Sequence, residues 1–111
     1  MIEERLIEEL NKVLTYPVYP KVPAEMPTRF YVLQKTGSSR NNLIDSSTFA
    51  IQSYGDSLLE SAQMNEALKQ AMYSLVSCED ISSVDLNSDY NFTDTAEKRP
   101  RYQAVFVITH Y

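Results

Sequence analysis

The feature that most constrains the fold of this chain lies in residues 44–72. There a segment rich in β-forming residues meets Gly55 and turns directly into a long amphipathic segment. The first part predicts a strand over about residues 43–54. The second predicts a helix, because its apolar residues recur at helical spacing. The sequence therefore favours an α+β domain in which a helix backs a sheet.

The start of this helix is marked by Ser57 and Glu60, which have the spacing of a capping box. In that motif the serine accepts a hydrogen bond from the Glu60 amide, and the glutamate reaches back to an amide before the helix. The apolar stripe that follows predicts that the helix ends near Ser77.

The first part of the chain predicts a helix over about residues 2–14, since its apolar residues lie on one side and its glutamates on the other. Prolines make residues 16–28 an extended, stiff connector. A strand over 29–35 follows, and the polar turn 36–42 joins it to the strand 43–54 as an antiparallel hairpin. In that turn Gly37 is expected to adopt a positive φ.

The last third predicts a weaker strand over 81–92, a charged loop, and a strong strand over 101–111. The order is α-β-β-α-β-β, with a mixed or antiparallel sheet of about four to five strands and two helices. A length of 111 residues predicts one domain, spanning 1–111.

Two strands are apolar on both sides. The closing strand places Ala104, Phe106 and Ile108 on one face and Val105, Val107 and Tyr111 on the other. Strand 29–35 does the same, with Phe30 and Val32 opposite Tyr31 and Leu33. If both helices pack on one face, the other keeps an apolar patch that a neighbouring subunit would cover. Alternatively, each helix takes one face and the monomer is complete.

Composition excludes several classes of function. With 15 acidic and 10 basic residues, the net charge is -5 and no basic cluster exists, which disfavours tight binding of nucleic acid. The longest apolar run, 104–108, is far below the roughly 20 residues of a membrane span. The acidic start is unlike a secretion signal, so we expect a cytosolic, soluble chain without membrane contact.

No catalytic or metal motif is recognisable. His110 is the sole histidine, and nothing in the sequence places Cys78 or a serine beside it. Residues 85–89 begin like a calcium loop, but Tyr90 stands where that loop needs glycine. Two glycines are too few for a phosphate cradle. We therefore expect no enzyme, no cofactor and no metal.

Three segments together carry a resemblance to a known family: VYPKVPAEMPTRFYVLQKTG, the hairpin-to-helix segment LIDSSTFAIQSYGDSLLESAQMNEALKQAM, and the closing RYQAVFVITHY. Across nearly the whole chain the sequence resembles the tail-terminator, or tail-completion, proteins of long-tailed phages and prophages of Gram-positive bacteria. The resemblance implies a non-enzymatic virion protein at the head-proximal end of the tail, assembled in the host cytoplasm. It also implies a hexameric ring that caps the tail tube, contacts the major tail-tube and connector proteins, and lets DNA pass without specific binding.

The residues predicted to contact another chain are tyrosines, residues of the hairpin tip, and residues on one face of each of the strands 29–35 and 101–111. They are Tyr19, Tyr31, Leu33, Lys35, Gly37, Arg40, Tyr73, Val105, Val107 and Tyr111. Two other readings stay open: a head-side connector or other minor tail protein, and a small ligand-binding or enzymatic domain with a pocket between helix and sheet.

Overall fold

A computed structural model describes residues 2–25, 27–41, 44–78, 81–93 and 99–110. Within these ranges the chain has an α+β fold with a five-stranded mixed sheet and two α-helices. The elements are α1 (Ile2–Val13), β1 (Val18–Tyr19), β2 (Phe30–Asn41), β3 (Ile44–Tyr54), α2 (Leu58–Ser74), a 3-10 turn (Leu75–Ser77), β4 (Ile81–Asn91) and β5 (Arg101–His110).

The strands lie side by side in the order β1-β2-β3-β5-β4. All neighbours are antiparallel except β1, which pairs in parallel with β2 through Val18↔Tyr31 and Tyr19↔Val32. The predicted order lacks this short strand, because the proline-rich connector conceals the two residues that form it. The mixed character of the sheet comes from β1 alone.

The β2–β3 hairpin is longer than the sequence predicts. Its ladder continues to the pair Asn41↔Ile44, with a β-bulge between Lys35 and Gly37. The predicted turn over 36–42 is therefore wrong up to Asn41, and Asn42 lies outside the described residues. Gly37 is a strand residue whose φ is not in the positive range, so the expected turn conformation is also wrong.

Both helices pack on the same face of the sheet, and the arrangement with one helix on each face is wrong. A single core joins Leu6 and Leu10 of α1 to Leu68 and Met72 of α2. The strand side chains buried under the helices include Tyr31, Leu33, Phe49, Ile51, Ala104, Phe106 and Ile108. The alternation predicted for β2 and β5 is confirmed for these positions.

The two helices differ in how they meet solvent. On α1 the buried residues are Leu6 and Leu10, and Glu4 and Glu8 are exposed on the opposite side. On α2 the buried positions span a wider stripe that includes the polar Ser61 and Asn65. Neither of these helices, nor any other within the described ranges, combines the length and apolar character that a membrane crossing requires.

The start of α2 has the predicted serine cap. Ser57 Oγ accepts a hydrogen bond from the Glu60 amide at 3.1 Å. Glu60 Oε1 accepts from the amide of Asp56 at 2.8 Å, and its Oε2 lies 2.7 Å from Arg29 Nε. The hydrogen bond from Arg29 is the main reason that the pKa of Glu60 is lowered. The helix start is thereby tied to the residue that precedes β2.

The turn before α2 depends on a close approach of two backbones. Gly55 donates from its amide to Ser61 Oγ at 3.0 Å, and both residues are buried. A Cβ on Gly55 would lie 2.8 Å from both the amide nitrogen and the Oγ of Ser61. Only glycine fits at this point without moving α2 away from the end of β3.

We therefore expect Gly55→Ala to lower the free energy of unfolding by about 1–3 kcal/mol, the usual cost of inserting atoms into a packed site. Gly37→Ala is the matched control, because a Cβ on Gly37 meets no atom within 4 Å. The control should change stability by no more than about 0.5 kcal/mol. Urea denaturation measures both, and equal stabilities of the two variants would contradict this account of the turn.

Candidate functional site

The face of the sheet opposite the helices is called here the open face. Its aromatic end is covered by the chain's own side chains. The rings of Phe30 and Tyr54 stack with centroids 4.5 Å apart, and Tyr19 meets Phe30 edge-on at 6.1 Å. The guanidinium of Arg99 lies 5.4 Å from the Phe30 centroid, and its Nη2 donates to the carbonyls of Pro27 and Thr28. These hydrogen bonds hold the end of the connector, residues 16–28, beside the aromatic rings.

Next along the open face is a network of hydrogen bonds between side chains. Gln52 Nε2 donates to Gln103 Oε1 at 3.0 Å, and Gln103 donates to the hydroxyl of Tyr90. The Tyr54 hydroxyl donates to Gln52 Oε1 and accepts from Arg101. Because the side-chain amides of Gln52 and Gln103 both have hydrogen-bond partners, the middle of the open face is polar and its geometry is fixed.

Farther along the open face lies a set of four residues, called here the open-face patch: Thr48, Ala50, Val105 and Val107. Gln34 of β2 borders it on one side, and Asp85 and Ser88 of β4 border it on the other. Register places Ala50 beside Val105 and Thr48 beside Val107 on neighbouring strands. Ala50 is buried, and the other three side chains are half-buried. No described element packs over this patch, since both helices lie on the other face. Of the predicted contact residues, Val105 and Val107 thus remain accessible here.

The far end of the hairpin carries the two predicted basic residues. Arg40 Nε lies 3.1 Å from Asp45 Oδ1, and its side chain is 66% exposed. Lys35 Nζ is 3.9 Å from Glu3 Oε1 on α1. Gly37 lies between them and is exposed. These residues are available to a partner on an exposed part of β2 rather than on a turn.

Two predicted contact residues are inaccessible. Tyr31 and Leu33 are 1% and 2% exposed, because the helices cover the face of β2 on which they lie. The face of β2 predicted to contact another chain is thus the face that packs under the helices. Tyr19 is half-buried against Phe30, and Tyr73 is 40% exposed with its ring edge-on to Phe106 at 6.0 Å. Tyr111 lies outside the described residues.

His110 has a serine neighbour that the sequence does not reveal. Its Nε2 lies 2.9 Å from Ser47 Oγ, a contact that the sequence does not place. Asp45 is the cross-strand partner of His110, but its carboxylate is held by Arg40. Ser47 is 1% exposed, and with His110 it lines a groove of about 440 Å³ at this end of the sheet. The hydrogen bond joins β3 to β5.

Sequence reasoning also missed a groove between the end of α1 and the side of α2. It has a volume of about 590 Å³, and its walls include Val13, Leu14, Tyr16, Met64 and Ala67. Val13 is 61% exposed. The helical spacing of apolar residues in α1 predicts that Val13 lies on its apolar side. No pattern in the sequence predicts a groove between the two helices at this point.

The calcium-loop fragment lies on β4 and not in a loop. Asp89 accepts hydrogen bonds from Asn65 and Lys69 of α2, which orient it toward the helix. Within the described ranges no three side chains of histidine, cysteine, aspartate or glutamate gather in a way that would hold a metal ion.

Comparison with known proteins adds no relative. No protein-family model matches the chain, and no curated protein matches it significantly.

Tyr31 gives a pH-dependent test of the core beneath the helices. Its hydroxyl donates to the Met64 carbonyl at 3.1 Å, and burial raises its pKa from 10.0 to about 12. Between these values the unfolded tyrosine ionises while the folded one stays neutral, so its stabilising effect is present below pH 10.0 and is lost toward pH 12. Tyr31→Phe should lower stability by about 1 kcal/mol near neutral pH, and the difference from the wild type should shrink near pH 11.

Urea denaturation at the two pH values measures this difference. Tyr73→Phe is the matched control, because Tyr73 is exposed and its removal should have little effect at either pH. A Tyr31→Phe deficit that stays constant across the alkaline range would contradict the assignment.

Proposed function

We propose that this protein is a structural subunit of a phage tail, which assembles as a ring, caps the completed tail tube and offers a surface for joining the head. The observation that supports it most is the one-sided sheet. Both helices cover one face, and the open-face patch with Val105 and Val107 has no covering element in the described chain. A subunit of an assembly leaves such a surface for its neighbours to bury.

The charge of the chain fits this role. A net charge of -5 gives a surface that repels the DNA backbone, so a duplex passes through a ring of such subunits without binding. In this proposal DNA is cargo, and the protein partners are further copies of the chain, the major tail-tube protein and a head-tail connector protein.

The two ends of the strands supply surfaces for these protein partners. The end of β2 with Lys35 and Arg40 is exposed and basic in an otherwise acidic chain. It is suited to an acidic patch on an adjoining ring or subunit, because complementary charges orient two surfaces before they touch. Tyr73, on the helix side, is a candidate anchor for a second contact.

A second candidate function comes from the groove between α1 and α2. Its volume of about 590 Å³ and its largely apolar walls are within the range of small-ligand sites. A ligand-binding domain would not need a ring to act, and its melting temperature would rise with the ligand. A head-side connector would be a ring as well, but would co-sediment with the portal assembly rather than with tail tubes.

The proposal predicts that the purified wild type forms discrete rings, or polymerises onto isolated tail tubes, in mass photometry and co-sedimentation. Val107→Asp should weaken co-sedimentation with tail tubes by about tenfold or more, because the carboxylate would be buried without a partner against the tail-tube protein. The free subunit should still fold but melt at a lower temperature, since Val107 is half-buried and lies opposite Asp85 of β4.

The matched control is Val13→Asp, the same substitution at an exposed valine on the groove between the helices. It should leave the assembly intact. Failure of the wild type to associate with itself or with tail tubes would contradict the proposal. If Val13→Asp alone altered the behaviour of the protein, by abolishing a ligand-dependent melting shift, the ligand-binding function would be favoured instead.

A further inference from the structure

Both outer edges of the sheet are open within the described residues. At one end β4 pairs only with β5. At the other end β1 covers β2 at Tyr31 and Val32 alone, so β2 from Leu33 to Asn41 has a neighbour on one side only. Each edge presents backbone amides and carbonyls that another strand can pair with.

The directions of the two edges match each other. β4, β5, β3 and β2 are antiparallel in succession, so β4 runs opposite to β2. A second copy placed beside the first in the same orientation therefore brings its β2 antiparallel to β4. The antiparallel ladder continues across the contact, and the helices of both copies stay on the same side of the joined sheet.

The charges of the two edges are opposite. β4 contains Asp85 and Asp89 and no basic residue. The uncovered part of β2 contains Lys35 and Arg40 and no acidic residue of its own. Glu3 of α1 lies 3.9 Å from Lys35, and Asp45 of β3 lies 3.1 Å from Arg40, so these two cations also have partners within their own copy. Two copies of the same edge repel each other, whereas β4 of one copy attracts β2 of the next. The charges favour head-to-tail contact over a two-fold contact between identical edges.

The apolar surfaces along the edges also correspond. Beside the uncovered part of β2 lies a groove of about 620 Å³, whose walls include Ile7, Pro20 and Leu33. On β4, Val84 and Leu86 are partly buried on the helix side of the sheet. In the head-to-tail arrangement these side chains lie on the same side as the groove. The walls of the groove also include Glu3, Glu4 and Lys35, so a docking strand would bring its apolar side chains to the Ile7, Pro20 and Leu33 part of a groove that is charged elsewhere.

Both edges carry bulges. The register shifts between Lys35 and Gly37 in β2, and twice in β4. Bulges make an edge a poor template for unrelated strands, so a partner strand must fit their spacing. They also bend the sheet, as a sheet must bend for repeated contacts to close into a ring.

We infer that copies of this chain join through edge-to-edge strand pairing, with β4 of one copy beside Leu33–Asn41 of the next. The inference rests on the proposed ring and specifies its internal contact. Each copy uses two different surfaces, one at each edge, so the contact is heterologous and repeats until it closes. The open-face patch stays free and available to another protein of the assembly.

A charge-exchange experiment tests the contact. The first variant, Lys35→Glu with Arg40→Glu, makes both edges acidic. The second, Ser82→Lys with Asp85→Lys, makes both edges basic; it keeps Asp89, which contacts Lys69 and Asn65. Ser82, Asp85, Lys35 and Arg40 are all on the surface of the sheet edges. The first variant loses the ion pairs with Glu3 and Asp45, but exposed pairs contribute only about 0–1 kcal/mol each, so the fold should survive each change. A third variant carries all four substitutions and again has edges of opposite charge.

Mass photometry and co-sedimentation with tail tubes give the readout. Each of the first two variants alone should need a concentration about tenfold higher or more to assemble, because its edges repel. An equimolar mixture of the two should recover assembly, since acidic and basic copies alternate around a ring with an even number of subunits. The third variant should also recover assembly by itself. Recovery in the mixture also demonstrates that both variants are folded.

The outcomes separate this inference from the function on which it rests. Wild-type rings together with unimpaired assembly of the first two variants would overturn edge pairing and leave the ring proposal standing. Absence of recovery in the mixture, when both variants melt like the wild type, would overturn it as well. A wild type that forms no ring alone or on tail tubes would overturn both.

Discussion

The contact between Gly55 and Ser61 determines how α2 leaves the end of β3. The Ser61 hydroxyl accepts from the Gly55 amide and lies 3.0 Å from the Ser57 carbonyl and 3.1 Å from the Pro100 carbonyl. It therefore joins the end of β3, the start of α2 and the residue before β5. Because all three meet at one buried hydroxyl, the angle at which α2 crosses the sheet is fixed at its first turn. The packing of Leu68 and Met72 onto the sheet follows from that angle.

A helix fixed in this way decides which face of the sheet is the interior. With α2 over β3 and β5 and α1 over β2, the helix face is filled, and the open face must be stabilised by other means. At its aromatic end the open face is stabilised by ring stacking and by the guanidinium of Arg99, and in the middle by the hydrogen bond between Gln52 and Gln103. Neither set of contacts extends to Val105 and Val107. The uncovered area is thus small, and it is bordered on the β4 side by Asp85, which lies opposite Val107.

The sequence predicts the elements and their faces well, because the two-residue period of a strand assigns every side chain to a side. Phe30 and Val32 do lie opposite Tyr31 and Leu33, and Ala104 lies opposite Val105. The period does not indicate which side the helices take, and for this reason the sequence predicts Tyr31 and Leu33 at an interface although they are buried. The hairpin was predicted too short because its polar end, TGSSRN, is typical of a turn, yet pairing with β3 holds it as a strand. The approach of Ser47 to His110 depends on the register of β3 against β5, which no local pattern records.

Edges and faces of a sheet point in perpendicular directions, so a protein that pairs at its edges keeps both faces for other contacts. In this chain the two kinds of surface also differ in chemistry: the edges carry opposite charges, and the open-face patch carries none. Opposite charges select orientation and partner at a distance, whereas a neutral half-buried patch contributes only once surfaces are in contact. In the ring that we propose, the chain would recognise its own copies by one set of residues and a different protein by another. The proposed position between head and tail would need this division, because the ring must close upon itself without competing for the surface that joins it to its neighbours.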